Sequence, residues 1–97
     1  MTMHEKLSDP ARAVLRTMVD SHNHQPQGRF TLSKSISRRG TFRISHPECN
    51  ISVFPDLIDE LIDNRFITVV SDEPGFQVLE ITLRGFDYDA YMEKPAV

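Results

Sequence analysis

The chain contains a single cysteine, Cys49, and lacks any long apolar run. One cysteine excludes an intramolecular disulfide and is typical of a reducing cytoplasm. No stretch approaches the ~18 consecutive apolar residues that cross a bilayer. The N-terminal stretch MTMHEKLSDP has no apolar segment of the kind found in signal peptides. We therefore expect a cytoplasmic protein that neither spans nor binds a membrane.

Motifs for catalysis are also missing. The sequence has no glycine-rich phosphate loop and no nucleophile motif. Neighbouring carboxylates such as Asp59 and Glu60 fall on a predicted solvent face, where no burial would prepare them for acid–base chemistry. We expect a protein that is not an enzyme and that has no cofactor.

Zinc-binding residue types occur in two short segments. They are His22 and His24 in the first segment, and His46 and Cys49 in the second. Neither pair has the spacing of a common zinc motif, and nothing in the sequence brings the two pairs together. We expect no metal site.

Charge is distributed unevenly along a chain whose net charge is −3. Residues 28–47 carry five basic side chains and no acid, whereas residues 48–97 carry eleven acids against three bases. The five basic residues are Arg29, Lys34, Arg38, Arg39 and Arg43. This asymmetry indicates a charged partner more clearly than the net charge does.

The stretch from Ser52 to Tyr91 predicts a helix, a β-ribbon and a second helix. Ser52 is expected to cap the first helix of this stretch, which is the second helix of the chain, with Pro55 in its first turn and Asn64 at its end. Its apolar stripe consists of Phe54, Leu57, Ile58, Leu61 and Ile62. The segments FITVV and FQVLEI predict two strands. Thr82 is expected to cap the last helix, which carries Leu83, Phe86, Tyr88 and Tyr91.

The segments LIDELIDNRFITV and ITLRGFDY resemble the C-terminal half of a winged-helix domain of the MarR/PadR kind, with its pattern "LxxxLxxxGLI…wing…LTxxGxxY". The resemblance covers about 40 of the 97 residues. It implies an α+β fold with helices packed on a short antiparallel β-ribbon, as a single domain over residues 1–97. It also implies a helix-turn-helix protein that binds double-stranded DNA and regulates transcription. Arg65 stands where that family usually has glycine.

The N-terminal half divides into a helix and an ambiguous segment. Asp9 is expected to cap the first helix, with Pro10 as its first residue and an end near His22. Residues 30–45 fit either the second helix of a winged helix or two alternating strands joined by the turn 37–40. The stretch from Ser45 to Glu48 has capping-box spacing and could begin a short helical turn.

Two surfaces are candidates for partner binding. The basic residues, with Asn50 and Ser52 at the start of the second helix, could contact DNA. The second helix also carries Asp56, Asp59, Glu60 and Asp63 opposite its apolar stripe, and the wing carries Asp72 and Glu73. Carboxylates on both standard contact surfaces would repel phosphates. The alternative function is therefore an adaptor or inhibitor that binds a basic protein through these acids.

The terminal helices predict self-association. Leu7, Phe86, Tyr88, Tyr91 and Met92 span more than one helix face, and so small a core cannot bury all of them. A small domain is often stabilised by dimerisation. We expect a homodimer formed through the terminal helices.

Overall fold

The structure is a computed structural model that describes residues 7–93. Within that range the chain forms three helices and five strands. The helices are α1 (Asp9–His24), α2 (Pro55–Asp63) and α3 (Leu83–Glu93). The strands are β1 (Phe30–Ser33), β2 (Phe42–His46), β3 (Cys49–Val53), β4 (Ile67–Glu73) and β5 (Phe76–Ile81). The predicted α+β class is confirmed.

The five strands form one antiparallel sheet in the order β3-β2-β1-β5-β4. β1 is the central strand and joins the β2–β3 hairpin to the β4–β5 hairpin. The two-stranded ribbon that the sequence predicted is therefore one side of a larger sheet. β4 contains an irregularity between Val69 and Ser71, where the register shifts against β5.

The segment 30–45 contains two strands, β1 and β2, and the loop that joins them. The two-strand interpretation of this segment is therefore confirmed, and the helix interpretation is wrong. Leu32 pairs with Ile44 across β1 and β2, and both side chains lie in the core. The connecting loop turns at 37–40, where the Gly40 N–H donates to the Ser37 carbonyl over 2.9 Å. Gly40 has a φ of +79°, which glycine adopts without steric cost. Alternation of apolar and polar residues outweighed the helical spacing because one sheet face is buried.

The first helix begins one residue earlier than expected and ends two residues later. Ser8, not Asp9, is the N-cap, and its hydroxyl accepts a hydrogen bond from the Ala11 N–H over 3.3 Å. The helix continues to His24 instead of ending near His22. The last turn is held in place because the His22 ring packs against Phe86 at 5.0 Å between ring centroids.

The start of α2 was predicted wrongly. Ser52 lies in β3 opposite Arg43, and the N-cap is Phe54, whose side chain makes no capping hydrogen bond. The expected helical turn at 45–48 is instead the tight connection between β2 and β3. The cause is strand pairing, which satisfies the backbone groups of β3 and turns Val53 into the core. Phe54, expected in the apolar stripe, is 56% exposed.

A joint between α2, β4 and α3 contains the residues of the winged-helix pattern. Arg65 takes a φ of +64° after the end of α2, a left-handed conformation that glycine adopts more readily than other residues. The Thr82 hydroxyl donates to the Arg65 carbonyl over 2.6 Å and accepts from the Gly85 N–H over 3.0 Å, which confirms Thr82 as a cap. A Cβ atom on Gly85 would lie 2.2 Å from the Phe66 carbonyl oxygen. This glycine is therefore required for close packing of α3.

The helices pack against the face of the sheet that carries the core residues. The buried cluster consists of Leu7, Ala11, Leu15, Met18, Val19, Phe30, Leu32, Ile44, Val53, Ile58, Leu61, Phe66, Ile67 and Leu79. Tyr88 of α3 stacks on Phe66 at 4.6 Å between ring centroids, and its hydroxyl accepts from the Leu7 N–H over 3.3 Å. None of the helices within residues 7–93 packs on the other face of the sheet, which is called the open face below.

In the part of the chain that the structure describes, no helix combines the length and apolar character needed to traverse a bilayer.

Candidate nucleic-acid interface

The open face carries small polar side chains along β1, β2 and β3. Strand register places Thr31 beside Ser45, Ser45 beside Asn50, and Arg43 beside Ser52. The residues of this face on the three strands are Thr31, Ser33, Arg43, Ser45, Asn50 and Ser52. None of them is acidic, so a polyanion could approach this side of the sheet without repulsion from these strands.

Arg43, Asn50 and Ser52 were predicted as DNA contacts, and the structure brings these three residues together. The Arg43 guanidinium donates to the Asn50 side-chain oxygen over 2.8 Å, and Arg43 and Ser52 are cross-strand partners. Asn50 and Ser52 were expected at the N-terminus of a helix, but both belong to β3. They therefore lie on a sheet surface, and the α2 N-terminus does not present them.

The loop of residues 34–41 connects β1 to β2, and hydrogen bonds of the Ser37 and Thr41 hydroxyl groups stabilise its turn. The Ser37 hydroxyl oxygen accepts from the N–H groups of Arg39 and Thr41, each over 3.2 Å. It also lies 2.7 Å from the Thr41 hydroxyl. Thr41 is only 9% exposed. The 34–41 loop therefore has a fixed turn although it projects into solvent.

Arg38 and Arg39 occupy the tip of this turn, and both are exposed. Among residues 7–93 neither guanidinium has an ion-pair partner. Ile36, on the same loop, is 61% exposed. Ile36 has the same parity as the core residues Leu32 and Ile44, but it follows the end of β1 and is therefore outside the alternation of the strand.

Lys34 and Arg29 do not join this cluster. The Lys34 ammonium forms an ion pair with Asp72 of β4, and the Lys34 N–H donates to the Gly75 carbonyl over 2.9 Å. The hydrogen bond from Lys34 holds the pKa of the Asp72 carboxyl below its ordinary value. Arg29 is exposed at the other end of β1, beside a cavity of about 480 Å³ that His22 and Glu80 also line.

Only three of the four acidic residues that were predicted on the outer face of α2 are exposed there. Glu60 turns toward α1, where its carboxylate accepts from the Ser8 N–H over 2.7 Å and from the Ser8 hydroxyl over 2.9 Å. Asp56, Asp59 and Asp63 are exposed and have no ion-pair partner within the described range. On the β4–β5 hairpin, Glu73 accepts from the Ser71 hydroxyl over 2.8 Å.

His46 is a polar residue whose burial was not predicted from the sequence. Its ring is 8% exposed and stacks on Phe30 at 4.4 Å between ring centroids. Nδ1 accepts from the Glu48 N–H over 3.0 Å, which places the ring proton on Nε2. Within residues 7–93 Nε2 has no hydrogen-bond partner of normal geometry, although the Gln25 carbonyl lies nearby. Burial lowers the pKa of the His46 ring below its ordinary value, although the Gln25 carbonyl acts in the opposite direction.

Glycine at position 28 explains how His46 fits. A Cβ atom there would lie 2.7 Å from His46 Nε2 and 2.7 Å from the Pro47 ring. The alternation that runs through Phe42 and Ile44 also includes His46, so parity could have identified it as an inward-facing residue.

The candidate metal ligands are only partly brought together. His24 and Cys49 line one surface cavity of about 260 Å³ together with Asp20 and Glu48. His22 instead packs on Phe86. Across residues 7–93 no group of three or more histidine, cysteine or acidic residues could hold a metal ion.

The terminal helices leave part of their apolar surface uncovered. Leu7 is buried, and Phe86 and Tyr88 are partly buried against the core, so these residues need no second chain. Leu83 is 82% exposed, Tyr91 60% and Met92 37%. A groove of about 460 Å³ runs between α1 and α3. An ion pair of 2.9 Å between Arg16 and Asp89 connects the two helices there.

Comparisons with protein-family models, with curated proteins and with solved structures found no significant match to this chain.

Proposed function

We propose that this protein binds double-stranded DNA through the 34–41 loop and the neighbouring Arg43, and acts as a small transcriptional regulator in the cytoplasm. The observation that carries the proposal is the placement of Arg38 and Arg39. Both lie exposed on a turn that internal hydrogen bonds hold, in a segment without acids, and neither has an ion-pair partner among the described residues. Unpaired guanidinium groups displace condensed counterions from DNA and gain affinity from their release.

The proposal assigns DNA contact to a different element from the helix of a winged-helix protein. Asp56, Asp59 and Asp63 on α2 would face phosphates if that helix entered the major groove. The 34–41 loop and Arg43 have no such conflict, because Asp72, the carboxylate near the loop base, is already paired with Lys34. Arg43 is four residues from Arg39, so the chain limits their Cα separation to about 14 Å. The groups can therefore meet neighbouring phosphates of one duplex.

A winged-helix relationship is part of this proposal. Its support is the order α2, β4–β5 hairpin, α3 and the joint that Thr82 and Gly85 form. The N-terminal half departs from that pattern, since the β1–β2 hairpin occupies the position of the second helix.

The test is a salt titration of binding to a fluorescein-labelled duplex of arbitrary sequence, followed by fluorescence anisotropy. We expect the logarithm of the association constant to fall linearly with the logarithm of salt concentration. Absence of binding even at about 20 mM salt, where phosphate contacts are strongest, would overturn the proposal.

The acidic surface of α2 supports a second candidate function. Asp56, Asp59 and Asp63 carry unpaired charge, and the neighbouring Phe54 is a large aromatic residue that is 56% exposed. Aromatic residues are enriched in protein interfaces, and exposed carboxylates attract a partner of opposite charge. An adaptor or inhibitor that binds a basic protein would use this surface. Failure to bind any duplex, with salt-dependent binding to a lysine-rich peptide, would favour this function.

We also propose that the protein forms a homodimer through α1 and α3. The supporting surface is the exposed apolar group of Leu83, Tyr91 and Met92. A monomeric mass by light scattering at high micromolar concentration would rule this out.

A further inference from the structure

We propose that the 34–41 loop enters the minor groove of duplex DNA, with Ile36 as an apolar wedge at a base step and Arg38 and Arg39 along the groove. This inference rests on the proposed function and specifies how the DNA is contacted. The expected target is an A·T-rich duplex, because its narrow minor groove concentrates the negative potential that attracts arginine.

Ile36 is the first observation. It is 61% exposed, on a polar loop whose other side chains are basic or carry hydroxyl groups, apart from Gly40. An exposed isoleucine gains nothing in contact with phosphate. Proteins that bind the minor groove often insert such an aliphatic side chain between base pairs, while neighbouring arginines bind along the groove. The loop combines both residue types within four positions, from Ile36 to Arg39.

Preorganisation of the turn is the second observation. The Ser37 hydroxyl holds the N–H groups of Arg39 and Thr41, and Gly40 closes the turn with a positive φ. At the loop base, Lys34 is fixed to the β4–β5 hairpin by its ion pair with Asp72 and its backbone bond to Gly75. The tip therefore keeps its direction, and little conformational freedom is lost on insertion.

The composition of the loop tip suits a narrow groove. The B-form minor groove is about 6 Å wide and 7.5 Å deep, so bulky side chains on both sides of the tip would prevent entry. Small residues at Ser35, Ser37 and Gly40 keep the tip thin.

The experiment combines binding and bending measurements on the full-length protein. An A·T-rich duplex with a central TA step carries a donor and an acceptor dye at its two ends. We expect binding to raise energy transfer, because a wedge at the flexible TA step bends the duplex. Netropsin, which occupies the A·T minor groove, should compete, and a G·C-rich duplex of equal length should bind more weakly.

Two variants test whether Ile36 acts as a wedge in the minor groove or whether any exposed aliphatic side chain affects DNA affinity equally. Ile36→Ala should lower affinity for the A·T-rich duplex roughly tenfold and remove the change in energy transfer, with the salt slope unchanged. Val70→Ala is the matched control, since Val70 is an aliphatic residue that is 49% exposed on β4, away from the 34–41 loop. It should bind and bend the duplex as the wild type does. Circular-dichroism melts of both variants establish that they are folded.

The outcomes distinguish this inference from the proposed function. Salt-dependent binding that netropsin does not inhibit and that Ile36→Ala does not change would overturn the minor-groove inference and leave the DNA-binding proposal standing. Absence of binding to any duplex at low salt would overturn both. Competition by netropsin without any change in energy transfer would remove the wedge role of Ile36.

Discussion

The carboxylate of Glu60 accepts two hydrogen bonds from Ser8, one from the backbone N–H over 2.7 Å and one from the hydroxyl over 2.9 Å. Ser8 is also the N-cap of α1. One side chain on α2 therefore fixes the residue that starts α1, and it places a negative charge where the helix dipole favours one. The contact makes Glu60 a structural residue although its neighbour Asp59 is exposed.

Glu60→Ala should lower the free energy of unfolding by about 1 kcal/mol, because Ser8 loses both acceptors at a partly exposed site. For a domain of this size that corresponds to a fall in Tm of about 4–8 °C. Asp59→Ala is the matched control and should change Tm by less than about 3 °C, since exposed substitutions have small effects. Equal melting temperatures for the two variants would show that the Ser8 contact contributes nothing to stability.

Gly85→Ala should destabilise the protein by about 3 kcal/mol or more, because the added Cβ would overlap the Phe66 carbonyl. In an unconstrained helix the same change would be stabilising. Gly75→Ala is the control: its φ is +97° and no atom lies within 4 Å of the added Cβ, so only a backbone cost of about 1 kcal/mol is expected. Urea unfolding measures both. A Gly85 variant as stable as the wild type would contradict the close packing of α3.

The stability of the protein should fall in acid because of His46. Burial lowers its pKa below the ordinary value of 6.5, so the unfolded chain binds a proton more readily than the folded chain. The free energy of unfolding should therefore be unaffected by this group well above pH 6.5 and decrease as the pH falls below it. His46→Gln should remove this part of the pH dependence in urea titrations between pH 5 and 8. An unchanged profile in the variant would mean that His46 does not titrate in this range.

Replacing Arg38 and Arg39 with alanine should weaken binding to every duplex and reduce the salt slope by up to about two. The control is Arg12→Ala on α1, which lies on the helix side of the sheet and 3.9 Å from Asp9. Anisotropy titrations at several salt concentrations give both slopes. If Arg12→Ala lowers the slope more than the loop variant does, DNA contacts the helix side.

Changing Asp59 and Asp63 to asparagine separates the loop from α2 as the contact surface. If the loop binds DNA, affinity should change by less than about twofold at 0.15 M salt, because the Debye length is about 8 Å. A large gain in affinity would place α2 in the groove, where the removed charges had opposed binding. Loss of binding to a lysine-rich peptide would instead support the protein-interaction function.

Helix α3 and the β4–β5 hairpin could be predicted from the sequence because their signals are local. Thr82 precedes the helix that it caps, and β-branched residues flank the turn at Pro74 and Gly75. The start of α2 could not be predicted in the same way. Ser52 and Pro55 have the local chemistry of a helix start, but pairing with β2 determines the conformation of residues 49–53.

The sequence identified the candidate site only as a pattern of charges. The positions of its side chains could be determined only from the folded structure. The sequence shows that residues 28–47 lack acids, but not that Lys34 would pair with Asp72. That contact joins the 34–41 loop to β4, a strand far along the chain. Arg29 and the 34–41 loop lie at opposite ends of β1. Their separation could be recognised only after residues 30–33 were known to form an extended strand.

The central position of β1 has a consequence for how quickly the protein acquires its structure. The β2–β3 and β4–β5 pairs are each formed by neighbouring segments, so they can assemble early and independently. The sheet becomes continuous only when Phe30 meets Leu79, two residues separated by about half the length of the chain. Closing so large a loop costs entropy before any contact compensates for it. The β1–β5 pairing is therefore expected to limit the folding rate, and substitutions along it should slow folding more than those within either hairpin.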